Sequence, residues 1–237
     1  METYDTLAKH YDLLTGSRET EFSFVEGLIK EYAPNASSIL DIACGTGSLL
    51  ANFSNTYERF GTDISQEMLE VAKQKLEGVQ LEKQDMRSLS FDRKFDAVLC
   101  LFDSINHLPT LEDWNNVFSG VKQHLNEDGV FILDINTVNR LEKRSEGSTW
   151  VTNLEENILL LDVNKTEQGL YEWLIRIFEP LEASTYTLHE TSILESAFPL
   201  EMIQEALRKS FTTVKTLDGD GKETSTDEGR RYLVCSL

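Results

Sequence analysis

The residues best suited to chemistry fall in one short run and one position beyond it. Asp41-Ile-Ala-Cys-Gly45-Thr-Gly47 places two glycines two apart, behind an acid. Glycines so placed let the backbone turn tightly and approach a nucleotide-like ligand. Asp63 lies eighteen positions after Gly45. An acid at that place accepts hydrogen bonds from ribose hydroxyls. Two features separate the ligand from a nicotinamide dinucleotide. Leu50 stands where the third glycine of GxGxxG would be, and Asp41 would repel a pyrophosphate but attract an ammonium. The implied ligand has a ribose and an ammonium and no pyrophosphate. His107, in Asp103-Ser-Ile-Asn-His107, is a candidate general base. It reads equally well as a structural histidine opening the next helix. His10, His124 and His189 sit in less suggestive surroundings.

The elements that must hold these residues alternate. Tyr4, Leu7, Ala8, Tyr11 and Leu14 recur at helical spacing, and a second helix runs through Phe22, Val25, Leu28, Ile29 and Tyr32. Ser38 to Ile42 reads as a buried strand, followed by the glycine loop and a helix from Ser48 onward. Arg59 to Thr62 is a second strand ending at Asp63, and Ser65 caps the helix that carries Met68, Leu69, Ala72 and Leu76. Val79 to Glu82, Phe95 to Leu101 and Gly129 to Asp134 continue the strands, with a Thr110-capped helix before the last. This rhythm implies a parallel, doubly wound sheet. After about residue 145 the pattern changes. Thr149 to Leu154, Asn157 to Asn164, Leu170 to Glu179 and Ser184 to Glu195 read as antiparallel hairpin strands. A helix around Leu200 to Leu207 and strands at Phe211 to Leu217 and Arg231 to Cys235 close the chain, the last two pairing antiparallel. The organisation is a helical cap (1–34), a core (35–144), an antiparallel β insertion (145–198) and a helix and strand pair completing the core (199–237).

The net charge of −19 argues against nucleic acid as a partner, because phosphate binding needs clustered Lys and Arg. No apolar run is long enough for a membrane span. Cys44, Cys100 and Cys235 are widely spaced and read as reduced thiols, and no signal-peptide pattern opens the chain. A cytoplasmic location is the expectation.

The runs ILDIACGTGSLL, GTDIS, KQDMRSL, FDAVLCLFDSINHL and GVFILDIN, in that order over residues 35 to 137, resemble the motif series of class I S-adenosylmethionine (SAM)-dependent methyltransferases. The resemblance implies an α/β fold: a Rossmann-like seven-stranded sheet with a parallel core and a C-terminal antiparallel strand, plus the inserted antiparallel layer. It also implies SAM as cofactor and S-adenosylhomocysteine as product. Ala43, Gly45, Thr46 and Gly47 would pass under the methionine part, with Asp41 steering its ammonium. Asp63 would hold the ribose, Ile64 and Met68 would flank the adenine, and Asp85 and Met86 would recognise its edge and face. Leu101, Phe102 and Ser104 would line the methyl-donating end, and Tyr11 would close over the cofactor. Met68, Met86 and Tyr11 can also be read as core residues, Asp85 as a turn residue, and Asp63 as a helix N-terminal acid.

The expected reaction moves a methyl group to a small-molecule nucleophile, with His107 and Tyr11 as catalytic candidates. The Leu101-Phe-Asp-Ser-Ile-Asn106 stretch resembles bacterial methyltransferases of unknown substrate. ACGTG, the DMR stretch, the insertion and a histidine placed like His107 resemble amino-sugar N,N-dimethyltransferases. That likeness points to an amine acceptor, with O-methylation or non-catalytic SAM binding as alternatives. The [DN]PP[YF] element of many nucleic-acid amino-methylating enzymes is replaced by Leu101-Phe-Asp-Ser104. Asp134 and Asn136 form only a weak candidate for a metal-dependent O-methyltransferase cluster, so no metal is expected. Trp150, Tyr171, Trp173, Phe178 and Tyr186, in a stretch rich in acids, fit a sheet core or a homodimer surface better than an amine pocket.

Overall fold

A computed structural model describes residues 7–182 and 185–237. Tyr4 and Ser184, used above to mark element ends, lie outside the described residues. A seven-stranded sheet forms the centre: β1 (Ser38–Asp41), β2 (Glu58–Asp63), β3 (Val79–Lys83), β4 (Phe95–Cys100), β5 (Leu125–Asn136), β10 (Thr213–Leu217) and β11 (Arg230–Ser236). Their order is β10-β11-β5-β4-β1-β2-β3. The pairs β1–β2, β1–β4, β2–β3 and β4–β5 are parallel, whereas β11 runs antiparallel to both β5 and β10. Strand order reverses between β1 and β4, and a crevice opens beyond the carboxyl ends of strands at such a point.

Both faces of the sheet are covered. On one, α4 (Leu111–His124) and α6 (Leu200–Arg208) bury Trp114, Phe118, Ile203 and Leu207 against Leu40, Val98 and Phe131. On the other, α2 (Glu19–Tyr32) buries Val25, Leu28 and Ile29 with Phe53 and Leu69 against Ile39, Leu99 and Ile132. α1 (Tyr11–Thr15) precedes α2, α3 (Gln66–Lys75) follows β2, and α5 (Val138–Ser145) follows β5. The Ser65 and Thr110 hydroxyls accept the Met68 and Asp113 N–H groups, as expected of helix N-caps. The insertion is a separate antiparallel sheet of β6 (Trp150–Leu154), β7 (Asn157–Lys165), β8 (Tyr171–Pro180) and β9 (Tyr186–Glu195). Its inner face packs Leu159, Ile175 and Ile177 against Leu7.

The helix expected from Ser48 does not form. Residues 48–57 contain turns and one 3-10 turn, Leu50–Asn52. The segment is short and ends in turn formers, Ser54-Asn-Thr56. Buried Arg59 takes over the bonding a helix would have supplied. Its guanidinium donates to the Leu50, Phe53 and Glu77 carbonyls and to Asn55 Oδ1. The α5 helix, conversely, was not legible in the sequence pattern. Among the described residues no helix is long and apolar enough to cross a membrane.

Gly61, inside β2, has no room for a side chain. A β-carbon there would lie 2.8 Å from Cys44 Sγ and 2.9 Å from Leu50 Cδ1 and Leu81 Cδ2. Gly61→Ala should therefore destabilise the fold by about 1–3 kcal/mol through overpacking. Urea unfolding followed by tryptophan fluorescence checks this. An unchanged midpoint would mean that the three neighbours move aside freely.

Candidate active site

The crevice at the β1/β4 reversal holds a cavity of about 470 Å³. All fourteen expected cofactor residues and His107 can be placed relative to its wall. Tyr11, Ala43, Gly45, Asp63, Ile64, Met68, Asp85, Met86, Phe102 and Ser104 line it, and so does His107. Asp41, Thr46, Gly47 and Leu101 do not. Asp41 is buried beneath the loop, and Leu101 is buried in the core. Gly47 has φ +74°, and a β-carbon there would strike the Leu76 side chain. Ile42, Gln84, Arg87, Leu108, Pro109 and residues 192–194 complete the lining.

The glycine loop is shaped by its own acids. Asp63 Oδ2 accepts the Gly45 N–H at 2.8 Å, and Oδ1 accepts the Ser65 N–H at 2.9 Å. One carboxylate thus ties the end of β2 to the loop after β1. Burial raises the Asp63 pKa, against the backbone N–H bonds that favour its charge. Asp41 is more extreme. Burial first, then the nearby charge of Asp63, pushes its pKa up to about 7, although the Ala43 N–H opposes the shift. Two carboxyls so close and so dry have an unmet demand for positive charge.

The N-terminal segment lies over this loop. The Tyr11 ring covers Gly45, where a β-carbon would lie 3.6 Å from Tyr11 Cε1. Asp12 accepts from Ser48 Oγ at 2.7 Å, from Thr46 Oγ1 and from Lys75 Nζ. These bonds depress the Asp12 pKa despite partial burial. Thr46 thereby ties the N-terminal segment to the glycine loop. Burial raises the Tyr11 phenol to about pKa 12, which favours its protonated form. At the far end Asp85 caps the 3-10 turn Met86–Ser88 by accepting the Arg87 N–H at 2.9 Å. Its carboxylate also pairs with the Arg87 guanidinium, which touches Asp113 as well, and this pairing lowers the Asp85 pKa.

The turn after β4 is strained. Phe102 and Asp103 both have left-handed backbones, φ 61° and 54°. A charged lattice holds them there. The Asp103 N–H donates to Asp134 Oδ1 at 2.9 Å. Arg230 pairs with Asp103, and its Nη1 lies 3.0 Å from Asp134 Oδ2. The Arg18 guanidinium sits 3.7 Å from the Phe102 ring centroid. Both Asp134 oxygens are thereby engaged. Burial pushes its pKa up to about 6, with Arg230 opposing. Asn106 knots the turn to two strand ends. It donates to the Asn136 and Ser196 carbonyls at 2.9 and 2.8 Å and accepts the Asn136 N–H at 3.0 Å. Its own carbonyl accepts the Ser196 N–H at 2.7 Å. His107 then points its Nδ1 at the Leu194 carbonyl, 3.2 Å away. Burial lowers the His107 pKa, partly offset by Asp103, this carbonyl and Asp63. None of Trp150, Tyr171, Trp173, Phe178 or Tyr186 lines the cavity. The insertion contributes through residues 192–194 of β9.

A Rossmann-like sheet with an acid at the end of β2 and a cavity at the switch point is the frame of a nucleotide-type binding fold, and relatives narrow it. A family model described as "Methyltransferase domain" matches residues 39–129. YqeM of Bacillus subtilis, provisionally named a methyltransferase, is 34% identical over 201 residues, covering 83% of this chain and 81% of that one. A dTDP-3-amino-3,4,6-trideoxy-alpha-D-glucopyranose N,N-dimethyltransferase from Streptomyces venezuelae is 33% identical over 129 residues. That match covers 52% of this chain and 54% of the relative, so the aligned part spans about half the relative's length. The crystal structure of an S-adenosylmethionine-dependent methyltransferase from Clostridium acetobutylicum superposes with a TM-score of 0.83 at 27% identity, over 99% of this chain and 98% of that one. The chain belongs to the class I SAM-dependent methyltransferases, and the cofactor of that family is SAM.

Two outcomes test the site. Asp63→Ala should weaken SAM binding by about 2 kcal/mol, the worth of hydrogen bonds to a charged group, by calorimetric titration. Unchanged affinity would put the ribose elsewhere. For Asp41 the sign is fixed by its raised pKa. Ionising it costs stability, so its contribution is whole below an unfolded pKa of about 3.9 and is lost as pH rises through about 7. Without cofactor, the stability of the native protein relative to Asp41→Asn should fall across that window in urea titrations. A difference independent of pH would show that Asp41 ionises normally.

Proposed function

We propose that the protein transfers the methyl group of SAM to a nitrogen of a small-molecule amine. The observation that carries this reading is a half-buried imidazole sharing one cavity wall with Asp63. His107 and Asp63 both line the cavity, and burial holds the His107 pKa below its ordinary value. The Leu194 carbonyl can only accept, so Nδ1 carries the proton and Nε2 is the basic nitrogen. The amine nitrogen attacks the methyl carbon in line with the carbon–sulfur bond. The bonding pair departs onto sulfur, leaving S-adenosylhomocysteine. The proton lost by the amine passes to His107 Nε2. Bound SAM supplies the activated methyl and, through its ammonium, the positive charge that Asp41 and Asp63 demand.

The nitrogen acceptor is also supported by the amino-sugar N,N-dimethyltransferases among the relatives, including one from Saccharopolyspora spinosa at 29% identity. The nitrogen chemistry, rather than a dTDP carrier, is the part we transfer. Among the described residues lining the cavity, Arg87 is the one Lys or Arg, and Asp85 and Asp113 already hold it. The first substrate panel should pair free amino sugars and simple amines with their dTDP-linked counterparts.

His107→Ala should lower turnover by about 10²-fold or more, within the usual worth of a general base, while SAM affinity stays within about twofold. In the native enzyme, kcat/KM should stay level near neutrality and fall only in acid, as His107 protonates below its ordinary pKa. Undiminished turnover in the variant would return His107 to a structural role. Hydroxyl compounds methylated in preference to every amine would overturn the acceptor class.

A further inference from the structure

We propose that His10, Glu179 and His189 form a zinc-class divalent metal site that fastens the N-terminal segment to the insertion sheet. The three residues lie outside the catalytic cavity. A ligand atom from each falls within 4.8 Å of the other two. They come from three different elements. His10 directly precedes α1, Glu179 is on β8 and His189 is on β9. The register pairs Ile177 with His189 and Glu179 with Thr187, so Glu179 and His189 are diagonal neighbours on one face. That face also carries Ile175 and Ile177, which pack against Leu7 of the N-terminal segment. His10 is thus delivered to the sheet by the same contact that seats its helix.

The geometry is close to a coordination sphere. His189 Nε2 lies 2.8 Å from Glu179 Oε2, and the His10 and His189 ring centroids are 5.2 Å apart at 45°. Tetrahedral zinc, with bonds of about 2.0–2.1 Å, spaces its ligand atoms about 3.3–3.5 Å apart. Small side-chain rotations reach that spacing. Glu179 is exposed and both histidines are half-buried, so the side chains can turn and an ion can enter from solvent. Two imidazoles and a carboxylate are a zinc-type donor set, with water completing the sphere. The net charge of −19 draws cations to the surface. The ion takes no part in methyl transfer. It acts on Tyr11 and Asp12, the residues after His10, which lie over Gly45 and against Thr46. Holding them in place slows escape of whatever occupies the cavity.

The test is titration of the full, tag-free chain with Zn²⁺ against a chromophoric chelator, with Co²⁺ absorption reporting tetrahedral coordination. One ion per chain at micromolar affinity or tighter is expected. His10→Ala and His189→Ala should each weaken it at least about tenfold, and the double variant should lose it. His107→Ala should bind zinc as the native chain does. Zinc should raise the melting temperature of the native protein but not of the double variant. If the alanine variants lose their native circular dichroism, His10→Asn and His189→Asn carry the same test. No binding at sub-millimolar free zinc, or binding that survives in the folded double variant, would overturn the site and leave a hydrogen-bonded His–Glu pair beside a second ring.

Discussion

One largely shielded guanidinium holds the end of the cavity beyond β4 together. Arg230 reaches from the antiparallel strand β11 to Asp134 on its neighbour β5 and to Asp103 in the turn beyond β4. A left-handed backbone costs an ordinary residue about 1–2 kcal/mol, and Phe102 and Asp103 adopt it in succession. That cost is carried because Asp103 is held twice, by its N–H on Asp134 and by its carboxylate on Arg230. Removing a single partner from such a cluster leaves buried charge uncompensated, which is worse than never having placed it there. The C-terminal strand pair is therefore more than an edge for the sheet. It supplies the cation without which the turn that presents Phe102, Ser104 and His107 would relax.

The opposite end of the cavity works by the reverse logic. Asp41 is buried and Asp63 half-buried; backbone N–H groups bond both, and no Lys or Arg lies against either carboxyl among the described contacts. Their raised pKa values record stability withheld from the free protein. Strain of this kind is the usual companion of a binding site, because the ligand supplies what the fold lacks. Asp134 too is held above the ordinary carboxylate range, but there Arg230 answers it, whereas no Lys or Arg answers Asp41 and Asp63 among the described contacts.

The sequence disclosed these features unevenly. The glycine loop, Asp63 and the strands around them follow from short-range patterns, so their positions could be read from spacing alone. The alternating rhythm, the antiparallel insertion and the final strand pair were legible for the same reason. The helix after Gly47 was misjudged because its failure depends on Arg59, a charged residue whose burial no periodicity announces. Spacing does not tell depth: Asp41 is buried beneath the loop, and Thr46 bonds Asp12, a residue on another element. Arg230 and Asn106 went unread altogether. Their partners are far away in sequence, and an arginine in a strand or an asparagine in a loop looks ordinary until the chain closes. The contribution of β9 was hidden similarly. The aromatic residues of the insertion drew notice, whereas the cavity is met by Ser192, Ile193 and Leu194 at its quiet end.

Asn106 has a further meaning for how such a molecule can change over generations. The insertion leaves the core near Asn136 and rejoins it at Ser196, and Asn106 bonds the backbone at both points. The two ends of the inserted sheet are therefore clasped side by side by one amide, whatever lies between them. A sheet of different length could be carried across those same two ends, provided that its last strand still offers His107 the carbonyl that Leu194 gives it. The clasp makes the insertion a unit whose length and decoration can vary between two fixed ends while the central sheet stays as it is.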